Sequence, residues 1–137
     1  REPFDPWGEV ASYQVARAQT WGGKCGATAV FVGTMRDFNQ GQTVSAMTLE
    51  HYPGMTEGYL AKIRTEAISR WNIVDALVIH RYGPLAPNDP IVLVAVWSSH
   101  REDAFAACRY LIDELKTRAP FWKQEQTAGG ERWVKPE

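Results

Sequence analysis

Hydrophobic residues recur at helical spacing in one stretch of the last third of the sequence. They follow one another three or four positions apart, as on the buried face of an amphipathic helix: Phe105, Cys108, Leu111, Ile112 and Leu115. Ser99 and Glu102 have the spacing of a capping box, in which each side chain accepts a hydrogen bond from a free backbone N–H. Pro120 ends the pattern, because the residue before a proline is disfavoured in helical conformation. The sequence therefore predicts a central helix between Ser99 and Pro120.

The same patterns predict two more helices and six strands. One helix covers residues 9–20 and ends before two glycines, and the other covers residues 53–71, with proline in the first helical position. Short apolar or alternating runs predict the strands, of which the last two form a terminal hairpin: residues 26–33, 43–52, 73–80, 91–97, 121–127 and 131–135. This order predicts an α+β fold, with three helices packed on a largely antiparallel or mixed sheet.

The first two predicted strands are expected to form a hairpin with a long polar tip, residues 34–42. Asn39 and Gly41 are typical turn residues in this segment. Arg36 lies directly after the first of the two strands. A side chain placed there either faces a ligand from a rigid scaffold or belongs to a solvated turn, and the pattern alone leaves both explanations open.

Cationic residues lie at both ends of the central helix. His100 and Arg101 fall in its first turn, where cations oppose the helix dipole and free N–H groups attract anions, so an anionic ligand would explain them. Lys116 and Arg118 fall in its last turn, where cations stabilise the dipole, so a solvated helix end is the simpler explanation for them.

Composition and charge exclude several classes of protein. The 137 residues, 45% of them hydrophobic, suit a single domain, residues 1–137, with its own core. A net charge of -1 gives no general attraction to nucleic acid, so anion binding has to be local. No apolar run is long enough to cross a bilayer and no leader pattern is present, which predicts a soluble, cytoplasmic protein.

The residue types that bind metals or act as nucleophiles are few. Cys25 and Cys108 lack disulfide or zinc spacing, which fits a reducing compartment, and Cys108 falls on the apolar face of the central helix. The three histidines are scattered, so no metal site is predicted. Neither a glycine-rich phosphate loop nor a G-x-S-x-G nucleophile motif occurs.

Six blocks of the sequence resemble, in order, the large, catalytic subunit of molybdopterin synthase. They are GATAVFVGTMR at 26–36, LEHYPGMT at 49–56, RW at 70–71, IHRYGPL at 79–85, SSHREDAF at 98–105 and LKTRAPFWKQE at 115–125. The resemblance covers about Cys25 to Val134 and leaves the first two dozen residues unsupported. It implies an α/β hammerhead-type fold with a C-terminal β-hairpin.

The resemblance also implies an activity and an assembly. Two large subunits would form a homodimer within a heterotetramer, and each would bind a small ubiquitin-like subunit that ends in Gly-Gly. The C-terminal thiocarboxylate of that partner donates sulfur to cyclic pyranopterin monophosphate, which becomes the dithiolene molybdopterin. No metal or other cofactor is implied.

The family's substrate contacts are carried over by position to nine residues: Thr34, Met35, Arg36, His100, Arg101, Lys116, Lys123, Gln124 and Glu125. Lys116 and Lys123 are the candidate catalytic residues. A lysine near the reacting carbon can stabilise developing negative charge or act as a general acid, and a covalent intermediate on Lys116 stays open. Relatives often have a second basic residue where this sequence has Gln124, which leaves the role of that position in doubt.

Counting along the central helix predicts that the site is shared between two copies. His100 and Lys116 are 16 residues apart, which is roughly 24 Å of helix, about twice the length of a tricyclic pterin. Each site is therefore expected to take Arg36, Lys116 and Lys123 from one copy and His100 and Arg101 from the other.

Two other functions remain open from the sequence. A non-catalytic module could bind a partner's extended C-terminal tail beside Phe121 and Trp122. A single-strand nucleic-acid binder could use the same aromatic and cationic residues, although the near-neutral charge disfavours it.

Overall fold

The computed structural model describes residues 3–39, 42–51, 54–117, 121–127 and 130–134. Three helices lie within these residues: α1 (Pro6–Trp21), α2 (Met55–Arg70) and α3 (Arg101–Thr117). The eight strands of the same residues are β1 (Ala27–Thr34), β2 (Phe38–Asn39), β3 (Gln42–His51), β4 (Ile73–His80), β5 (Gly83–Leu85), β6 (Pro90–Ser98), β7 (Phe121–Thr127) and β8 (Gly130–Val134). All six strands predicted from the sequence are present, and β2 and β5 are two short additions.

The strands form two antiparallel sheets. The first has the order β1-β6-β4, and the second has the order β2-β3-β7-β8 with β5 also paired to β3. The predicted hairpin of β1 with β3 is wrong, because β1 pairs with β6 along its length and β3 pairs with β5 and β7. Strand β6 is wholly buried from Leu93 to Trp97, so it needs a neighbour on each side, and β1 is one of them.

The first sheet separates two apolar layers. On one face, α2 and α3 pack over Ala29, Val94 and Val96, and α3 contributes Ala107 and Leu111. On the other face, Trp21 of α1 packs against Ala95 and Trp97. Cys108 belongs to the first layer, as predicted, and burial raises the pKa of its thiol to about 11. None of the described helices has both the length and the apolar content that a membrane span requires.

The start of α3 is fixed against the start of β1. The Gly26 N–H donates to the Ser98 carbonyl (2.8 Å), and a side-chain carbon at Gly26 would collide with the carbonyl oxygen of Ser99. The predicted capping box of Ser99 and Glu102 does not form among the described residues, because the Ser99 hydroxyl instead donates to the Lys24 carbonyl (2.9 Å). The helix then begins at Arg101, slightly later than predicted.

Asp75 of β4 joins α1 and α2 to the first sheet. Its buried carboxylate accepts hydrogen bonds from the Tyr13 hydroxyl (2.9 Å), the Trp21 indole (3.2 Å) and Arg64 (2.7 Å). The Ala76 N–H donates to it as well (2.8 Å). Burial by itself would raise the pKa of Asp75, but these donors hold it below the ordinary value of 3.8.

We expect Asp75→Asn to lower the free energy of unfolding by about 2 kcal/mol at neutral pH, because an amide cannot accept from all four donors. Because the pKa of Asp75 is lowered in the folded protein, its ionised carboxylate stabilises the fold at pH values above the unfolded-state pKa. This contribution to the free energy of unfolding disappears as pH falls below about 4. Denaturant unfolding of both proteins at several pH values should therefore show their difference shrinking in acid. Asp113→Asn is the control, since Asp113 is exposed and its side chain pairs, within the described residues, only with Arg109 at i,i+4; equal losses from both substitutions would contradict the assignment.

Candidate active site

Four exposed residues carried over from the family fall in two pairs at opposite ends of the first sheet. Thr34 ends β1 and Arg36 follows it, and both side chains are exposed. His100 and Arg101, also exposed, lie beside the start of β1, because Ser98 is the backbone partner of Ala27. Strand β1 has eight residues, so these two pairs are separated by roughly 25 Å of sheet.

Arg36 extends from a backbone that is held on both sides. The preceding residue, Met35, is buried and packs in a second apolar cluster with Val44, Met47, Leu49 and Leu85. The Met35 N–H donates to the Asp89 carbonyl (2.9 Å), and the Asn88 N–H donates to the Met35 carbonyl (2.9 Å). The backbone immediately before Arg36 is therefore fixed, and the exposed guanidinium extends from that point.

Lys116 lies at the same end of the first sheet as Arg36. Only two residues separate β6 from α3, and α3 packs on β1 and β6, so the helix runs back along the sheet, parallel to β1. Its 17 residues are continuous, which carries Lys116 roughly 24 Å from His100 along the helix axis. A single copy thus keeps Lys116 with Arg36 and away from His100 and Arg101.

The end of α3 is anchored while Lys116 stays exposed. Leu115 is buried in the first apolar layer. The Tyr59 hydroxyl of α2 donates a hydrogen bond at Glu114, with the carbonyl oxygen at 3.1 Å and Oε2 at 2.8 Å. Within the described parts of the chain, no carboxylate forms an ion pair with Lys116 or Arg36. Among the described residues, nothing neutralises either cation, which fits a role in binding an anionic ligand.

The remaining candidates lie on β7 in the second sheet. The backbone register pairs Lys123 with Leu49, Gln124 with Thr48 and Glu125 with Met47. Leu49 and Met47 belong to the same apolar cluster as Met35, so β7 runs next to the strand that supports the Arg36 segment. The predicted binding of a partner's tail beside Phe121 and Trp122 depends on side chains outside the described part of the structure, and Arg118 lies outside the described residues altogether.

Strand β3 therefore links the segment before Arg36 with the strand that carries the other candidates. Together with the end of α3, these elements bring Arg36 and Lys116 to one end of the molecule. Cys25 and Cys108 lie elsewhere, the first half-buried beside β1 and the second in the core. Among the described residues, no group of three histidine, cysteine or acidic side chains could hold a metal ion.

The supporting residues around Arg36 were not found by sequence reasoning. Arg81 and Asp89, which shape the turn against Met35, lie in residues 81–90, where three prolines predict only a turn-rich connection. The helical spacing of Tyr59 predicts only that it lies on the apolar face of α2, whereas its hydroxyl bond to Glu114 joins residues 55 positions apart. The one available signal was the block IHRYGPL at 79–85, which carried the family resemblance without an assigned role.

Comparison with known proteins supports one family. The family model described as MoaE protein matches residues 6–118. The molybdopterin synthase catalytic subunit of Ralstonia nicotianae is 57% identical over 131 residues, which cover 96% of this chain and 72% of the relative.

Two solved structures have the same fold. The molybdopterin biosynthesis MoaE protein from Burkholderia ambifaria is 51% identical, with a TM-score of 0.79 and coverage of 98% of this chain and 85% of that one. Molybdopterin synthase from Staphylococcus aureus is 32% identical, with a TM-score of 0.83 and coverage of 98% and 93%. The three helices and antiparallel sheets place the described fold in the α+β class. Together with these matches, the fold identifies the chain as an enzyme, a catalytic subunit in cofactor biosynthesis. The chain belongs to the MoaE protein family, as its sequence blocks predicted.

Proposed function

We propose that this chain transfers sulfur from the C-terminal thiocarboxylate of a small ubiquitin-like partner to cyclic pyranopterin monophosphate, forming the dithiolene of molybdopterin. Its relatives are named catalytic subunits of molybdopterin synthase. The observation that carries the proposal is the pair of exposed cations, Arg36 and Lys116, which come from different elements to one end of the fold. The two free cysteines suit the reducing cytoplasm, where we place the reaction.

The two cations suit different parts of the reaction. Arginine offers a planar set of donors that matches a phosphate, so Arg36 would bind the cyclic phosphate of the substrate. Sulfur attack on a side-chain carbon develops negative charge and opens the phosphate ring. Lys116 would stabilise that charge or supply a proton, and Lys123 would assist and hold the partner's terminal carboxyl group.

A complete site would need a second copy of the chain. His100 and Arg101 lie at the far end of α3, so they cannot reach a pterin bound beside Lys116 of the same copy. In a two-fold dimer with antiparallel α3 helices, the start of one helix would face the end of the other. Each of the two sites would then combine Thr34, Arg36, Lys116 and residues 123–125 of one copy with His100 and Arg101 of the other. Met35, which is buried with both backbone groups bonded, would support Arg36 and not contact the substrate.

The decisive experiment is reconstitution of the reaction. Purified protein is mixed with a thiocarboxylated small subunit and the cyclic pterin, and the dithiolene product is assayed. We expect product in amounts that follow the thiocarboxylate consumed, two sulfurs for each pterin. A module that only binds the partner's tail would leave the pterin unchanged, and that result would refute the proposed activity.

We expect loss of the partner's last two glycines to abolish turnover while only weakening association. An extended glycine tail has no side chains to contribute to binding, whereas its end carries the reacting group. Calorimetry measures the association and the dithiolene assay measures turnover, with the full-length partner as control. Complete loss of complex formation would mean that the tail is the main binding element.

A further inference from the structure

Arg81 is a buried cation close to the proposed site. It follows β4 and is only 9% exposed. One end of its guanidinium, Nη2, donates to the Pro84 carbonyl (2.8 Å), and Nη1 lies 3.4 Å from Oδ2 of Asp89. Its Nε is buried and has no hydrogen-bond partner in the structure as described. Burying an arginine with one donor unused is costly, so its position calls for a physical reason.

The two acceptors of Arg81 belong to neighbouring elements: Pro84 lies in β5, which pairs with β3, and Asp89 ends the turn formed by residues 86–89. Asp89 also binds within this turn, because its Oδ2 accepts from the Ala86 N–H (2.8 Å) and its own N–H donates to the Ala86 carbonyl (3.0 Å). Asn88 adopts the left-handed region with φ of 75°, a conformation that needs support from its neighbours. The Arg81 guanidinium therefore ties β5 to the end of this turn.

This turn is what holds Met35. Asp89 and Asn88 each form a backbone hydrogen bond with Met35, one accepting from its N–H and the other donating to its carbonyl, both at 2.9 Å. The next residue along the chain is Arg36. A continuous set of contacts therefore runs from the Arg81 guanidinium through the turn to the backbone that carries the proposed phosphate ligand.

We infer that Arg81 is a positioning residue for Arg36: it shapes the turn that clamps Met35 and so sets where the exposed guanidinium meets the substrate phosphate. The expected effect of Arg81 on the kinetics rests on the proposed function. Its structural consequence, the clamp on Met35, is measurable without substrate.

Arg64 provides a matched control in the same chain. It also uses one carboxylate and one backbone carbonyl, since it donates to Asp75 (2.7 Å) and to the Ala76 carbonyl (2.8 Å). Its contacts join α2 to β4 and include neither Met35 nor the turn. Arg64→Met should therefore reduce stability without acting on Arg36.

The kinetic test is a double-mutant cycle in the assembled enzyme. We expect Arg81→Met to raise KM for the cyclic pterin about tenfold or more with a smaller change in kcat, because misplaced binding groups weaken substrate capture. In an Arg36→Ala background the same substitution should change KM less than about twofold, since the residue it positions is gone. Arg64→Met should change KM by the same factor in the wild-type and in the Arg36→Ala background. Additive effects of Arg81→Met and Arg36→Ala would overturn the inference.

Hydrogen exchange supplies the test that needs no activity. In Arg81→Met, the amides of Met35 and Asn88 should exchange about tenfold faster relative to the core amides of β6, and in Arg64→Met they should not. Unchanged exchange at both amides would overturn the inference. If Arg81→Met does not fold, Arg81→Lys replaces it. Lysine keeps the charge but can serve only one acceptor well, so the amides of Met35 and Asn88 should again exchange faster than in the wild type. A wild-type enzyme that makes no product would refute the proposed function alone, while faster exchange would still support the clamp.

Discussion

Replacing Lys116 by alanine should remove most of the catalytic activity and leave the fold almost unchanged. Loss of one charge-stabilising group typically costs about 2–4 kcal/mol of transition-state stabilisation, which is a reduction in kcat of roughly 30-fold to 1,000-fold. Lys116 is exposed, and the neighbouring Leu115 and Tyr59 contacts that anchor the helix end do not involve its side chain. The free energy of unfolding should therefore change by only a few tenths of a kcal/mol.

Lys62→Ala is the matched control for this substitution. Lys62 is also an exposed lysine on a helix, α2, but it lies outside the residues carried over from the family. Single-turnover product formation by both variants, with unfolding curves of each, separates chemistry from stability. Near-normal product formation by Lys116→Ala would remove Lys116 from the mechanism.

Two inactive variants should regain activity when they are combined in one dimer. Lys116→Ala and Arg101→Ala each damage both sites of their own homodimer, because every shared site takes one residue from each copy. In a mixed dimer, one site carries both lesions and the other carries neither. Random mixing makes about half of the dimers mixed, so the mixture should reach about a quarter of wild-type activity.

The control is a mixture of Lys116→Ala with Arg36→Ala, whose lesions fall on the same copy's half of the site. Its mixed dimers should show no gain in activity over the two parent homodimers, because every site then lacks one of the two residues. Native mass spectrometry establishes that mixed dimers form in both experiments. An equally inactive Lys116→Ala and Arg101→Ala mixture, with mixed dimers present, would refute the shared site.

The elements with strong local signals were predictable from the sequence. Strand β4 has the predicted bounds, Ile73–His80, and the apolar run before the central helix is indeed the middle strand of the first sheet. The pairing of β1 was not predictable, because β1 and β3 are close in sequence while the true neighbour, β6, is more than 50 residues away. Sequence proximity favours a hairpin, and the need to cover both edges of a buried strand outweighs it.

The candidate site also contains some residues that were predictable from the sequence and others that were not. The cations at both ends of α3 were identified from helix capping and dipole arguments, and Arg36 from its place directly after an apolar strand. Arg81 could not be found by these arguments, because an arginine beside Tyr82 and Gly83 resembles an ordinary solvated turn. Only the folded chain brings its guanidinium to Pro84 and Asp89.

The pairing of β1 with β6 also has a consequence for synthesis on the ribosome. Thr34 is the partner of Pro90, so the first strand cannot begin to pair until 56 further residues have been made after it. At ordinary rates of translation this takes roughly 3–11 s. Throughout that time neither β6 nor α3 covers the apolar strand β1. The solubility of the nascent chain then has to come from α1, α2 and its charged segments.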